Sequence, residues 1–302
     1  MNKKITAVAV VALAALAGAG VAGARMMLNF TMNGNRQTLE EALAWQADHY
    51  DISFIDVLKR ETYTINSFDD YVLHVEYFEN PVPSDHYIIL SHGITDNRYG
   101  DLKYMKMYLD MGFNCIAYDL RGHGENESTW CSYSIRESSD LSCLINDTYE
   151  RYGEDIVLGL HGESLGAATT VAVLGKTQRP AFAVLDCPFS EIESVLKGTM
   201  KSAHFPTCLI DIVGFLSKQT YGYSFKEMVP MNVLPENEVP TLFIHGDKDS
   251  LISPEHSQRM SQMTGGYSEV HLMPGAEHAQ SVLKDPEAYA DIVKNFLTKI
   301  NV

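Results

Sequence analysis

Residues 156–174 read IVLGLHGESLGAATTVAVL, a short apolar run followed by an alanine-rich one. Between the two runs stands Gly162-Glu163-Ser164-Leu165-Gly166, which has the pattern G-x-S-x-G. In this pattern a tight turn from a strand into a helix exposes the serine hydroxyl, and the glycines let the two backbones approach. A serine becomes a good nucleophile only beside a base that takes its proton. The stretch therefore predicts a strand, a nucleophilic Ser164 and a helix, in that order.

On both sides of this turn, short apolar runs alternate with longer amphipathic ones. Such runs are typical of parallel strands that are buried on both faces and joined by crossover helices. Six runs are predicted to be strands, at residues 87–90, 114–118, 156–160, 181–185, 241–244 and 269–273. Two β-rich runs, 61–66 and 71–79, predict an antiparallel hairpin. The predicted fold class is α/β, a mostly parallel central sheet with helices on both faces.

Helix boundaries follow from capping residues. Thr38 is predicted to be the N-cap of a helix from Leu39 to Arg60. Gly112 and Gly153 are predicted to end helices, and Asp285-Pro286 to begin the last one.

One connection is far longer than an ordinary α/β loop, which has about 2 to 6 residues. Residues 187–239 separate the sixth and seventh predicted strands and contain two helical patterns, near 192–200 and 208–217. We interpret this segment as a small helical cap over the site. The alternative is a packed helical excursion with no role in substrate binding.

A serine hydrolase on such a sheet needs an acid and then a histidine after the nucleophile. Asp249 lies in His245-Gly246-Asp247-Lys248-Asp249, directly after a predicted strand. His278 follows the last predicted strand, whereas His256 falls on a predicted helix and His271 within a strand. The predicted catalytic residues are therefore Ser164, Asp249 and His278. Asp247 is the alternative acid, although a turn role suits it better.

The oxyanion of the reaction also needs backbone N–H donors. One donor is predicted to be the amide of Leu165, which follows the nucleophile. The other is predicted to be the amide of Ile94, in the loop after the first parallel strand.

Together these pieces resemble the α/β-hydrolase superfamily, in particular the bacterial membrane-anchored hydrolases grouped with serine aminopeptidase-like and monoacylglycerol-lipase-like enzymes. The matching pieces are His92-Gly93-Ile94-Thr95, Asp119-Leu120-Arg121-Gly122-His123-Gly124, the Ser164 pentapeptide, residues 245–249 and Gly275-Ala276-Glu277-His278. The resemblance implies the same triad and oxyanion hole. The sequence departs from relatives at Leu165, where methionine is frequent, and in the 92–95 loop, which many lipases make glycine-rich. The substrate class therefore stays open among esters, thioesters and peptides.

The expected activity is hydrolysis of a carboxylic ester or thioester through an acyl-enzyme, with no cofactor, because water releases the acyl group. The apolar and aromatic residues of the cap favour a small-molecule ester with an apolar acyl or aromatic group. An aminopeptidase or amidase is the alternative, and its acidic pocket would come from Glu125, Glu127, Glu191 and Glu193. A hydrolase-fold binding protein without turnover is a third hypothesis.

Composition excludes one class of partner and limits others. The 302-residue chain carries a net charge of −16, which argues against nucleic acid because phosphates would be repelled. Five cysteines are an odd number with no C-x-x-C pair; Cys115 and Cys187 are predicted to be core residues, and a Cys131–Cys143 bridge is left open. No metal site is predicted: His92, His161 and His245 lack metal-ligand spacing, and we interpret them as hydrogen-bonded scaffold.

The N-terminus predicts a membrane-directed segment. Lys3 and Lys4 precede residues 5–24, which carry no charge and are long enough as a helix to cross a bilayer. A retained signal anchor with an extracytoplasmic catalytic domain is favoured over a cleaved signal peptide and secretion. The predicted organisation is an anchor or signal at 1–28, a polar neck (29–37) and outer helix within 29–60, and a catalytic domain at 61–302.

Overall fold

The computed structural model describes residues 22–302. Its centre is an eight-stranded sheet with the strand order β1-β2-β4-β3-β5-β6-β7-β8. The strands are β1 Arg60–Asn66, β2 Val72–Phe78, β3 His86–Ser91, β4 Asn114–Tyr118, β5 Val157–Glu163, β6 Phe182–Asp186, β7 Thr241–Gly246 and β8 Ser268–Met273. β2 runs antiparallel to both of its neighbours, and the pairs from β4 through β8 are parallel. The predicted hairpin and parallel strands are confirmed.

Helices cover both faces of the sheet. Residues 22–33 are helical and form α1. The other helices are α2 Leu39–His49, α3 Leu102–Asp110, α4 Ile135–Tyr152, α5 Leu165–Leu174, α6 Ile192–Ser202, α7 Leu209–Tyr221, α8 Glu255–Met263, α9 Ser281–Lys284 and α10 Pro286–Lys299. Two apolar clusters, one on each side of the sheet, form the core. This is the α/β-hydrolase fold, with α6 and α7 in the predicted cap between β6 and β7.

The capping predictions agree with the helix ends. Thr38 and Glu41 form a capping box at the start of α2. The Asp285 carboxylate accepts the amide of Ala288 at the start of α10, and Gly153 ends α4 with a φ of 107°. These contacts satisfy amide and carbonyl groups that a helix end leaves without partners.

The prediction of one helix from Leu39 to Arg60 is wrong beyond His49. The Asp51 carboxylate accepts hydrogen bonds from the amide and hydroxyl groups of Ser53, at 3.0 and 2.6 Å. A short 3₁₀ helix follows at Ser53–Asp56, and β1 already begins at Arg60. Aspartate and serine side chains compete with the helix for backbone groups, which ends α2 there.

The polar neck predicted at residues 29–37 is also wrong as a description of structure. Residues 29–33 belong to α1, and Met32 is fully buried in the core. The carbonyl oxygen of Met32 accepts the amide of Cys131 at 2.8 Å, and the carbonyl of Thr31 accepts the Tyr133 hydroxyl at 2.6 Å. This segment is therefore packed onto the catalytic domain.

Most of the predicted membrane segment, residues 5–24, lies outside the described residues. Within residues 22–302, every helix is too short or too polar to cross a membrane. The five cysteines all have free thiols, so the open Cys131–Cys143 bridge is not formed. Cys115 and Cys187 are buried, as predicted.

Candidate active site

The turn between β5 and α5 holds Ser164 in an unusual backbone conformation. Its φ of 53° and ψ of −111° lie where side chains are rarely found, so the turn is strained. A Cβ on Gly162 would lie 2.5 Å from Gly166, and a Cβ on Gly166 would lie 1.8 Å from the carbonyl oxygen of Ser91. Both flanking positions thus require glycine, because the strand and helix backbones touch there.

The three residues predicted to be catalytic are brought together at the carboxyl ends of the strands. The Ser164 hydroxyl donates to Nε2 of His278 over 3.0 Å. Nδ1 of His278 donates to Oδ2 of Asp249 over 2.7 Å. Ser164 follows β5, Asp249 follows β7 and His278 follows β8. The series of hydrogen bonds can pass a proton from the serine to the histidine and stabilise the imidazolium that results.

Asp249 is held by hydrogen bonds at both carboxylate oxygens and stays ionised. Its Oδ1 accepts the amides of Leu251 and Ile252 at 2.9 and 2.8 Å, and Nε2 of His245 lies 3.2 Å from Oδ2. Burial would raise the pKa of Asp249, but hydrogen bonds from His245 and His278 outweigh burial and hold the pKa below its usual range. An ionised acid at this position fixes the tautomer and orientation of the histidine.

The alternatives to these residues lie elsewhere. The Asp247 carboxylate accepts the amide of Gly275 at 2.7 Å, which is the turn role predicted for it. His256 is on α8 and His271 is on β8, as the sequence predicts. Their rings form hydrogen bonds with Ser190 and Glu269, respectively, and not with Asp249.

The predicted oxyanion donors, Ile94 and Leu165, line the same cavity as Ser164. The Ile94 loop is fixed from outside by the turn at residues 121–124. There, burial lowers the pKa of His123 to about 3, and its Nε2 lies 2.7 Å from the carbonyl oxygen of Ile94. The His123 ring, whose Nδ1 lies 2.9 Å from the carbonyl oxygen of Arg121, thus holds the Ile94–Thr95 peptide next to the amide of Ile94.

The three histidines at strand ends have protein partners. Nε2 of His92 accepts the amide of Leu120 at 2.9 Å, and Nδ1 of His161 lies 2.9 Å from the Tyr108 hydroxyl. Nδ1 of His245 lies 2.7 Å from the hydroxyl of Ser257. Burial lowers the pKa values of His92 and His161 to about 3 each, so both are neutral. These contacts agree with the scaffold role predicted for the three rings.

Cys187 is a neighbour of Asp249 and His278 that sequence reasoning did not place there. Its thiol and one atom each of Asp249 and His278 lie within 4.8 Å of one another, which is a possible set of metal ligands. However, Asp249 and His278 already share a 2.7 Å hydrogen bond, too short for an ion bound to both atoms. Burial raises the pKa of the Cys187 thiol, so it is neutral. The hydrogen-bonded pair of Asp249 and His278 therefore suits proton transfer better than metal binding.

A buried ionic cluster supports the turn from below. Lys103 Nζ lies 2.5 Å from Oε2 of Glu163, the residue before the nucleophile. The Tyr104 hydroxyl donates to the same oxygen at 2.6 Å and lies 3.1 Å from Asp186. The carbonyl oxygen of Asp186 in turn accepts the Ser164 amide at 2.9 Å. No signal in the sequence pointed to Lys103 as the partner of Glu163.

A cavity of about 410 Å³ opens beside Ser164. Its walls come from the Ile94 loop, from residues 30–36 and from α6 of the cap. Most of the lining is apolar and includes Met32, Tyr133, Phe189, Ile192, Val195 and Leu196. The predicted cap therefore forms one wall of the cavity. Residues 30–36 form another, which sequence reasoning missed because this stretch carries no motif.

Comparison with known proteins agrees with this architecture. The chain is 31% identical to protein YqkD of Bacillus subtilis over 229 residues, which cover 74% of this chain and 75% of YqkD. The Pyrococcus furiosus esterase Pf2001 superposes with a TM-score of 0.68 at 23% identity, covering 82% of this chain and 92% of the esterase. An acylaminoacyl peptidase of Pyrococcus horikoshii superposes with a TM-score of 0.61 at 15% identity, covering 81% of this chain and 41% of the peptidase. These structural likenesses show the fold.

The family assignment comes from the sequence itself. The model of the prolyl oligopeptidase family matches residues 101–301, which include all three residues of the hydrogen-bonded series. The closer likeness to serine aminopeptidase-like and monoacylglycerol-lipase-like hydrolases stays a prediction. Because this family model matches about two thirds of the chain, the protein belongs to the prolyl oligopeptidase family.

Proposed function

We propose that the protein is a serine hydrolase that cleaves carboxylic esters or thioesters with an apolar acyl group. The observation that carries this proposal is the hydrogen-bonded series Ser164–His278–Asp249, which opens into an apolar cavity. The strained turn at Ser164 and the ionised Asp249 support the same function.

The reaction proceeds in two balanced steps. His278 takes the proton of Ser164 while Oγ bonds to the ester carbonyl carbon, and the amides of Ile94 and Leu165 stabilise the oxyanion. The carbon–oxygen bond to the alcohol then breaks, and the alcohol leaves with the proton from His278. A water molecule, deprotonated by His278, next attacks the acyl-enzyme, and the carboxylic acid and free Ser164 are released.

The first test is covalent labelling of the purified protein with a fluorophosphonate. Wild type should label, and Ser164→Ala and His278→Ala should not, because the first lacks the nucleophile and the second lacks the base. Ser202→Ala, which changes an exposed serine of the cap, is the matched control and should label as wild type does. Folded wild type that does not label would reject the proposal and favour a binding protein without turnover.

The acyl preference is tested with p-nitrophenyl esters of increasing chain length. An apolar cavity gains binding free energy with each buried methylene, about 0.8 kcal/mol. We expect kcat/KM to rise from acetyl to medium-chain esters. A maximum at acetyl, with loss at every longer chain, would contradict an apolar acyl group.

A peptidase is the second candidate, and the family match favours it. The acids predicted to bind a substrate amine are, however, engaged elsewhere: Glu125 pairs with Arg98, Glu191 with Arg259, and Glu193 with Lys197. Neither these acids nor Glu127 line the cavity beside Ser164. Hydrolysis of aminoacyl naphthylamides, measured beside fatty-acyl esters, separates the two candidates.

We further propose that residues 5–24 anchor the protein in the membrane, with the catalytic domain outside the cytoplasm. Two residues of α1 just after this segment, Met26 and Phe30, are 76% and 75% exposed, and Phe30 also lines the cavity. An apolar surface beside the cavity suits a substrate derived from lipid. The full chain should stay in membranes after a carbonate wash, whereas a chain without residues 1–24 should be released. A mature chain that begins near residue 25 would instead support a cleaved signal peptide.

A further inference from the structure

The wall formed by residues 30–36 separates two different cavities. On one side lies the apolar cavity with Ser164. On the other lies a second cavity of about 350 Å³, whose lining includes the polar residues Asn33, Asn126, Ser128 and Thr129. Gly34, Asn35 and Arg36 line both cavities. An apolar space and a polar space thus meet at three consecutive residues.

Arg36 is the charged residue at this boundary. Among the described residues, no other charged side chain lines either cavity. Its Nη1 donates to the carbonyl oxygens of Gly122 and Thr129, the latter at 2.9 Å. Within residues 22–302, no carboxylate lies within ion-pair distance of its guanidinium.

Two other arginines of this acidic protein, in contrast, form ion pairs with carboxylates. Arg98 pairs with Asp119 at 2.5 Å, and Arg121 pairs with Asp140 at 2.5 Å. Carbonyl oxygens orient the Arg36 guanidinium but do not neutralise its charge. A half-buried cation that is oriented and not neutralised is the arrangement that binds an anion through charge-assisted hydrogen bonds.

We propose that Arg36 binds an anionic group, a phosphate or a carboxylate, on the alcohol part of the ester. The inference rests on the proposed function: the acyl chain occupies the apolar cavity, the ester bond lies at Ser164, and the anionic end lies at Arg36 beside the polar cavity. Arg36 is then the residue that selects amphiphilic anionic esters over neutral ones.

The test compares three esters with one acyl chain: monodecanoylglycerol, its phosphate monoester and a decanoyloxy carboxylate. The full-length protein is assayed in detergent. We expect Arg36→Gln to lower kcat/KM for an anionic ester about 10-fold to 100-fold more than for the neutral one, the usual range for a charge-assisted hydrogen bond. Arg36→Lys should recover part of this difference. The phosphate and carboxylate esters separate the two possible anions.

A matched control removes an arginine elsewhere. Arg179→Gln makes the same change of net charge at an exposed residue that is paired with Glu154. It should leave the ratio of anionic to neutral turnover unchanged. Equal losses for both esters in Arg36→Gln, or a wild type that does not prefer an anion, would overturn the inference, because Arg36 would then only hold the backbone.

Binding measurements with decyl phosphate, and with decanol as the neutral comparison, separate this inference from the proposed function. Arg36-dependent binding of decyl phosphate by a protein that hydrolyses none of the esters would support the anion site and reject the hydrolase. Turnover of neutral esters, with decyl phosphate binding unchanged in Arg36→Gln, would support the hydrolase and reject the anion site.

Discussion

Ser164, Asp249 and His278 all lie on loops that directly follow parallel strands, whereas the cavity beside them is walled by a helix before the sheet and by a helix inserted between strands. The first region is fixed by backbone hydrogen bonds, such as the two amides that hold Asp249 and the bond from the Ser164 amide to Asp186. The second region is held by apolar packing and a few long-range hydrogen bonds. The difference suggests that the chemistry is set by the sheet and the choice of substrate by the added helices.

The largest expected effect tests the first region at its acid. Asp249→Asn should lower kcat for ester hydrolysis by about 10⁴, because the histidine loses its tautomer and its charge partner. Asp247→Asn is the matched control, and a change within a few-fold is expected because Asp247 holds only a turn. Steady-state kinetics measure both. Similar losses in the two variants would contradict the assignment of Asp249.

The next effect tests whether the buried ionic cluster below Ser164 stabilises the fold. Lys103→Met leaves the buried Glu163 without its cation and should lower the free energy of unfolding by about 3–5 kcal/mol. Lys106→Met removes an exposed ion pair with Asp110 on the same helix and should cost less than about 1 kcal/mol. Urea unfolding gives both values. If the two variants lose equal stability, the buried pair has no special role.

A smaller effect concerns the pH dependence of stability, through Asp186 in the same buried ionic cluster. Burial, with the nearby charge of Glu163, raises the pKa of Asp186 to about 6. The folded state therefore holds this proton more tightly than the unfolded state, and its stability falls as pH rises from about 4 to about 6. Asp186→Asn should remove about 1–3 kcal/mol of this fall, as urea unfolding at several pH values would show. Asp56→Asn, at an exposed position, should change nothing, and a parallel shift in both variants would reject the explanation.

The smallest effect tests the second region. Val195→Ala removes two methyl groups from the cavity wall and should lower kcat/KM for a decanoyl ester about 5-fold more than for an acetyl ester. Ile212→Ala, at an exposed cap residue, is the control and should not change this ratio. If Val195→Ala lowers kcat/KM for all esters alike, the cap wall does not set the acyl preference.

The sequence by itself determined the sheet, the strained turn and the order of the three residues that the structure brings together. Short apolar strands, glycines at close backbone contacts and capping residues are signals that a short stretch of sequence carries by itself. The predicted helix beyond His49 failed where the Asp51 side chain competed with the helix for backbone groups.

Apart from the cap, only the tertiary structure decided what surrounds the site. Lys103 meets Glu163 across 60 positions of sequence, and Arg36 meets Thr129 across 93. The predicted polar neck forms a wall of the cavity because the side chain of Met32 is buried in the apolar core. Such contacts depend on how separate elements pack in three dimensions, and they leave neither a periodic pattern nor a motif in the sequence from which they could be predicted.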